Sequence, residues 1–137
     1  MCSGVIETLP SGLLKRPSYH AMRLYAEHVK PIPIHVEAAP EGVDIVACAS
    51  EDRAAVCVFA VNIKDAPAEI ALNLSEIAAR CRLIAAHALF DRLDQRQPDV
   101  MNHWTAPDRV AVSPLRIQGN TVALLAFSAT AIECGSR

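Results

Sequence analysis

The stretch VDIVACASEDRAAVCVFAVN, residues 43–62, decides the fold of this chain. It contains two apolar runs, residues 43–50 and 53–62, which are joined by Glu51 and Asp52. Short apolar runs that are bounded by a polar turn are typical of strands buried on both faces or nearly so. The two runs therefore predict an antiparallel hairpin.

Outward from this hairpin the apolar residues recur with a period of two, which predicts further strands. The first, residues 32–38, is expected at a sheet edge because Pro31 and Pro33 cannot donate to a neighbouring strand. The others are residues 68–74, 82–90, 109–116 and 121–132, with residues 75–80 as a connection that has room for a helical turn. The last two strands flank Gln118-Gly119-Asn120 and are expected to form a hairpin.

Turns every 8 to 12 residues along the chain are typical of a sandwich. The predicted fold class is all-β, an antiparallel two-layer β-sandwich of about seven to eight strands. Alternation along the strands predicts the core residues, which are Val56, Val58, Phe59, Leu72, Ile84, Leu125 and Phe127.

One segment before the strands has a helical period. Tyr19, Met22, Ala26 and Val29 recur at helical spacing, and Pro17 suits a first helical turn, where a missing N–H costs nothing. The sequence therefore predicts one N-terminal helix, with residues 1–30 forming an N-terminal segment and residues 31–137 forming the β-sandwich domain.

Composition excludes several classes of function. The chain has 137 residues, 52% of them apolar and 20% charged, which predicts one packed domain. A net charge of -2 without a run of like charge, together with 4% aromatic residues, argues against nucleic-acid binding. No segment resembles a signal peptide or a membrane span, so we expect a soluble, cytoplasmic protein without a membrane partner.

The cysteines form no motif that is typical of a metal site or of redox chemistry. There are five of them, and none is part of a C-x-x-C motif: Cys2, Cys48, Cys57, Cys81 and Cys134. We expect free, partly buried thiols. We also expect no metal site, because the spacing of His87, His103 and Asp91 is not that of metal ligands.

The best candidates for ligand contact lie in a long loop, residues 91–108. Trp104 can stack on a sugar ring, and its neighbours Asn102 and His103 can hydrogen-bond hydroxyl groups. The alternative for Trp104 is an anchor that packs the loop onto the core or onto another domain. The acidic residues of the loop alternate with arginine and glutamine, which is typical of a solvated loop rather than of a catalytic pair.

Several segments together resemble the C-terminal β-sandwich domain of family 51 α-L-arabinofuranosidases. Residues 16–28, RPSYHAMRLYAEH, are similar to the family's Thr-Pro-x-Tyr helix, which ends in Leu-Tyr-x-x-His. Residues 58–62, VFAVN, resemble a strand that ends in Asn, and residues 102–110, NHWTAPDRV, resemble the loop before the last hairpin. Residues 126–130, AFSAT, resemble the closing strand, so the similarity extends over residues 15–133.

This resemblance implies a glycoside hydrolase in which a (β/α)8 barrel performs the chemistry and the sandwich packs against it. A retaining glycosidase needs two carboxyl groups about 5 Å apart, and in the family both are glutamates on barrel strands. This chain has no barrel, so we expect it to have no catalytic residue, to need no cofactor and to be no enzyme on its own. The resemblance makes Val5-Ile6-Glu7 a remnant of the last barrel strand and makes the predicted helix the last barrel helix.

Three interpretations of the function of this chain are open. The first is an accessory domain that stabilises a catalytic barrel, with the long loop near an arabinose-containing carbohydrate. The second is an independent carbohydrate-binding module that uses residues 91–108, which requires Trp104 on an exposed, concave face. The third is a fragment that regains activity with a barrel from another chain. If the chain stands alone, Tyr19, Met22 and Tyr25 on the helix are the interface candidates, and the helix either pairs in a homodimer or folds onto its own sheet.

Overall fold

The computed structural model describes residues 4–77 and 80–136, which contain eleven strands and one helix. Nine strands form two layers. The larger sheet has the order β3-β4-β5-β11-β7-β8 and the smaller one has the order β6-β10-β9. The elements are β1 Ile6–Leu9, β2 Gly12–Lys15, α1 Pro17–His28, β3 Ile32–Ile34, β4 Val43–Ala49, β5 Ala55–Asn62, β6 Ala68–Ala71, β7 Cys81–Asp91, β8 Val110–Pro114, β9 Ile117–Gln118, β10 Thr121–Leu124 and β11 Ser128–Ser136.

All pairings between these strands are antiparallel, which confirms the predicted all-β sandwich with one helix. The strand at the sheet edge is also confirmed, although β3 ends at Ile34 and is shorter than predicted. In the connection predicted over residues 75–80, residues 75–77 form a turn, and residues 78 and 79 lie outside the described part of the chain.

The hairpin over residues 43–62 forms as predicted, because β4 and β5 pair with Cys48 opposite Cys57. Of these two strands only β5 is buried on both faces over most of its length, since it lies between β4 and β11. In β4 the burial alternates, and Asp44 and Val46 are exposed. A position one strand away from the sheet edge leaves part of one face of β4 uncovered.

The larger sheet has a core on each face. On one face Val56 and Val58 of β5 pack with Val122, Leu124 and Ile132, so this core lies between the two sheets. On the other face Cys57 and Phe59 pack with Leu24 of the helix and with Leu89 and Val110. Odd and even residues of β5 thus serve different cores, as the pleat of a strand requires.

The predicted strand over residues 121–132 is wrong, because these residues form two strands in different sheets. Strand β10 ends at Leu124 in the smaller sheet, and β11 begins at Ser128 in the larger one. The chain changes layer at Phe127, whose φ of 44° interrupts any continuous strand. The hairpin predicted at Gln118-Gly119-Asn120 forms between β9 and β10, but its first strand is not the predicted one over residues 109–116, because β8 pairs with β7.

The predicted core is correct at Val56, Val58 and Phe59 and wrong at Ile84, whose side chain is 57% exposed. The pairing of β7 with β11 shifts so that Ala85 faces Glu133 while Leu83 faces Cys134. Ile84 is the extra residue of this β-bulge and therefore has no place in the alternation. Of the remaining predicted core residues, Leu72, Leu125 and Phe127 are half-buried.

The helix packs on its own sheet, which is one of the two arrangements expected for a stand-alone chain. Its buried residue is Leu24, and Ala21 packs in the same core. The predicted stripe is therefore not the packing face, because Met22 and Val29 are 63% and 51% exposed. The helix is 12 residues long, and the described residues contain no helix that could span a membrane.

The hairpin β1–β2 was not predicted. Its strands pair from Ile6 opposite Lys15 to Leu9 opposite Gly12, and the turn contains Pro10 and Ser11. Gly12 has a φ of 152°, which a residue with a side chain rarely adopts. The Pro-Ser-Gly sequence between two apolar pairs is the turn signal from which this hairpin could have been predicted.

Candidate functional site

The long loop between β7 and β8 is closed at its base by an ion pair. Arg109 donates from Nε to Oδ1 of Asp91 at 2.9 Å and from a terminal nitrogen to Oδ2 at 3.0 Å. The backbone N–H groups of Leu93 and Gln95 also donate to the Asp91 carboxylate. The hydrogen bonds from Arg109 lower the pKa of Asp91 to about 2. The loop is therefore fixed at the point where it leaves the sheet.

This ion pair predicts a pH dependence of stability. The pKa of Asp91 lies below its ordinary value of 3.8, so the ion pair stabilises the fold above about pH 4 and this contribution is lost as the pH falls towards 2. We expect Asp91→Asn to lower the free energy of unfolding by about 1 kcal/mol at pH 7, a figure that allows for solvent screening. Urea denaturation at several pH values measures this loss, which should shrink between pH 5 and pH 2.

The matched control for this prediction is Asp94→Asn, since Asp94 lies in the same loop and is exposed. Its effect should be less than about 0.5 kcal/mol. Equal, pH-independent losses in the two variants would contradict the role assigned to Asp91.

Asn102, a predicted sugar contact, holds the loop to the rest of the domain. It is fully buried, and its side-chain NH2 donates to the backbone oxygens of Lys15 at 3.0 Å and Val110 at 2.8 Å. Its Oδ1 accepts from the backbone N–H of Val110 at 2.7 Å. Because these bonds occupy the amide and no part of it reaches solvent, the structure removes Asn102 from the candidate sugar contacts.

Trp104, the main predicted sugar contact, lies at a turn that is closed by hydrogen bonds between the backbones of His103 and Ala106. Its Nε1 donates to Oε1 of Glu7 on β1 at 3.3 Å, and the other oxygen of Glu7 pairs with Arg16. The side chain is nevertheless 39% exposed. Trp104 is thus anchored along one edge and open to solvent elsewhere, and His103 beside it is exposed.

The residues considered as metal ligands do not come together. Within residues 4–77 and 80–136 no group of three or more His, Cys, Asp or Glu side chains has the geometry to hold a metal ion. His87 lies under the end of the helix, where its ring stacks on that of His28 with centroids 5.7 Å apart. His28 Nδ1 in turn lies 2.9 Å from Oε1 of Glu133, a contact that no sequence pattern indicated.

The cysteines in the described part of the chain are free, as predicted. Cys48 and Cys57 are buried in the core under the helix, and Cys134 is buried between the sheets. Burial raises the pKa of Cys57 to about 12 and that of Cys134 to about 11. Thiols of such high pKa carry little thiolate at neutral pH and are inert.

The helix covers only part of the larger sheet, and apolar side chains remain exposed beside it. We call these residues the helix-side surface: Met22, Tyr25, Val46, Val61 and Ile63. The Tyr25 ring stacks on Phe59 with centroids 3.9 Å apart, and Phe59 lies opposite Val46 in the sheet. The surface therefore extends from the helix onto β4 and β5, where the exposed Asp44 lies opposite Val61.

Phe59 and Val61 lie on one face of the sheet because they are two residues apart on β5, and the exposed Ile63 follows directly after the strand ends at Asn62. Val46 is 50% exposed, Val61 41% and Ile63 61%. Two of the three helix residues predicted as interface candidates, Met22 and Tyr25, belong to this surface. The third, Tyr19, is half-buried, and the ammonium of Lys15 lies 5.2 Å from the centre of its ring.

Comparison of the structure with solved structures confirms the predicted resemblance at the level of the fold. The arabinose complex of α-L-arabinofuranosidase from Thermotoga maritima matches 95% of this chain with a TM-score of 0.73 and 20% identity. An arabinose-bound family 51 α-L-arabinofuranosidase matches 100% of it with a TM-score of 0.80 and 13% identity. A family 51 α-L-arabinofuranosidase from Bifidobacterium longum matches 91% with a TM-score of 0.69 and 24% identity.

The match is to a minor part of those enzymes. The chain spans 31%, 22% and 26% of their respective lengths. No family model matches the sequence, and no curated protein is similar to it. The chain therefore has the fold of one portion of the family 51 α-L-arabinofuranosidases, including the helix and the β1–β2 hairpin where the match covers the whole chain.

Proposed function

We propose that this chain is a non-catalytic accessory domain, of the kind found at the C-terminus of α-L-arabinofuranosidase-like glycoside hydrolases, that packs against a catalytic (β/α)8 barrel and stabilises it. The barrel belongs either to the same protein or to another chain. The observation that carries this proposal is the helix-side surface, a row of exposed apolar side chains on the sheet face that the helix covers only in part.

The arrangement of the two faces supports the proposal. The face between the sheets buries Val122, Leu124 and Ile132 completely, so its centre is already packed within this chain. On the helix-side face Leu24 is buried, while Val61 and Ile63 remain exposed to solvent. A contiguous exposed apolar surface is characteristic of an interaction site. A partner that covers it gains the free energy of burial without rearranging the domain.

Three ion pairs argue against a catalytic role for the acidic residues that form them. In the described part of the chain, Asp91 is held by Arg109, Glu7 by Arg16 and Glu27 by Arg23. A carboxylate whose pKa is lowered by an arginine, as for Asp91, cannot serve as the general acid of glycoside hydrolysis near neutral pH.

A chimera tests the accessory role. The portion of the Thermotoga maritima enzyme that this fold matches is replaced by the present chain, and stability and hydrolysis of an aryl arabinofuranoside are measured. We expect the chimera to be active and to melt at a higher temperature than the enzyme without any such portion. The isolated chain should give no turnover. Val61→Glu should lower the melting temperature of the chimera, because a charge buried at an interface costs several kcal/mol.

The control in this experiment is Leu13→Glu, which introduces the same charge at a residue that is 62% exposed and lies outside the helix-side surface. It should leave the chimera unchanged. The accessory role would be contradicted by a chimera no more stable than the truncated enzyme, or by equal effects of the two substitutions. Turnover by the isolated chain that disappears on mutation of one of its own carboxylates would overturn the non-catalytic assignment.

A second candidate function, carbohydrate binding through the loop, is favoured by the open face of Trp104. Trp104 is the chain's one tryptophan, so its fluorescence reports directly on a ligand that stacks on it. If the loop binds sugar, arabinan oligosaccharides should change this fluorescence saturably, and Trp104→Ala should abolish binding measured by calorimetry. His103→Ala is expected to weaken binding by less. An unchanged spectrum at millimolar oligosaccharide would leave Trp104 as a loop anchor only.

A further inference from the structure

A cleft of about 610 Å³ opens beyond Pro17, where the helix begins and the larger sheet continues uncovered. We call it the end cleft. Val61, Leu89, Val110 and Ala129 line it from the sheet, and Phe127 lines it from the segment that joins the two layers. Its volume lies in the range of small-molecule sites, roughly 300 to 1,000 Å³, and such sites are likewise mostly apolar with a few polar groups.

Backbone strain is concentrated in the walls of the end cleft. Asp94, Arg96 and Phe127 all line it and have φ values of 47°, 53° and 44°. They are three of the four non-glycine residues with positive φ in the described chain. Each such residue costs of order 1 kcal/mol, and such strain is retained where the surrounding structure holds it and often where a ligand binds.

Hydrogen bonds hold these strained walls open. The N–H of Phe127 donates to the carbonyl oxygen of Lys64 at 3.0 Å, and that of Asp94 donates to the carbonyl oxygen of Asp91 at 3.0 Å. Asp91 is itself fixed by Arg109. The end cleft is therefore preformed, so a ligand would not have to order its walls on binding.

The rim of the end cleft carries one uncompensated positive charge. Asp91 is neutralised by Arg109, and Asp94 contacts Arg96 at 3.4 Å. Arg92 also lines the cleft, but its guanidinium donates only to the hydroxyl of Ser113, at 3.3 Å. Among the described residues Arg92 has no acidic partner, so the charge at the rim is complementary to an anionic group.

We propose that the end cleft binds a small apolar molecule that carries one negative charge. The apolar body lies on Val61 and Leu89, and the anionic group pairs with Arg92. This site goes beyond the accessory role, because its walls, which include residues of the long loop and Val61 of the helix-side surface, all belong to this chain and are open in the isolated chain.

Two matched fluorescent probes test this proposal: 8-anilinonaphthalene-1-sulfonate, which is anionic, and N-phenyl-1-naphthylamine, which has the same aromatic body without the charge. Titration of the isolated chain should show one saturable site for each probe. Arg92→Gln should weaken the anionic probe by about fivefold and leave the neutral probe within about twofold, since only the charge contact is lost. Val61→Glu should weaken both probes by about tenfold or more, because it places a charge in the apolar wall.

Further variants distinguish specific binding in the end cleft from the effects of misfolding and from non-specific adsorption of the probes. Ile63→Glu changes a second lining residue that is 61% exposed, so it should fold normally and weaken both probes as Val61→Glu does. Leu13→Glu and Ile84→Glu lie outside the end cleft and should leave both affinities unchanged. The proposal is overturned if the cleft variants bind like the wild type, if Ile84→Glu alone removes binding, or if Arg92→Gln affects both probes equally.

Discussion

The Asn102→Ala variant is expected to lose about 3 kcal/mol of unfolding free energy, because buried groups that bond to Asn102 would be left without partners. The backbone N–H of Val110 would lose its acceptor, and the carbonyl oxygens of Lys15 and Val110 would lose their donor. Water cannot readily replace the amide at a fully buried position. Urea denaturation followed by far-UV circular dichroism and by Trp104 fluorescence measures the loss.

Asn73→Ala is the matched control, since Asn73 is exposed and its side chain accepts hydrogen bonds from nearby Ser75. Its effect should be within about 0.5 kcal/mol. Because Asn102 joins the loop between β7 and β8 to the end of β2, its loss should also loosen that loop, so the Trp104 signal should change at lower urea concentration than the circular dichroism. A variant as stable as the wild type would show that Asn102 does not hold these segments together.

The second large effect is expected for Leu24→Ala, at about 3 kcal/mol. Leu24 is 4% exposed and packs with Phe59, Leu89 and Val110, so truncation opens a cavity between the helix and the larger sheet. Alanine has a high helix propensity, so the helix itself should tolerate the change and the loss should come from packing. Thermal and urea denaturation measure the destabilisation, and amide hydrogen exchange should show faster opening of residues 17–28.

Met22→Ala is the control for the effect of an alanine substitution on the helix itself, because Met22 lies on the same helix and is 63% exposed. It should change stability by less than about 0.5 kcal/mol in the isolated chain. If Met22→Ala were as costly as Leu24→Ala, the helix would pack through the face that the sequence pattern predicted rather than through the face observed in the structure.

The pattern of apolar and polar residues was sufficient to predict the class of fold and its central hairpin. The period of two predicts strands. The long apolar run of residues 53–62 predicts a strand that packs against a core on each face, and β5 is that strand. The prolines at residues 31 and 33 similarly placed β3 at an edge. These features are local, since each depends on the chemistry of consecutive residues.

The candidate site was predicted less well. The loop and Trp104 were singled out by composition, and the structure shows Trp104 partly open. The same reasoning gave Asn102 a ligand role, because the polar side chain of a loop residue looks the same in sequence whether it faces solvent or the backbone of a distant strand. Its partner Lys15 is 87 residues away in the chain.

The order of apolar, polar and turn-forming residues was enough to predict the period of most segments and the position of most turns, because both are local properties of the chain. The sheet that each strand joins and the helix face that is buried depend instead on contacts between residues far apart in the chain. Residues 121–132 are mostly apolar and contain no glycine or proline, so no turn signal marks the change of layer at Phe127. The helix has apolar residues on two faces, and the choice of Leu24 over Met22 depends on long-range contacts such as that of His28 with Glu133, which position the helix on the sheet.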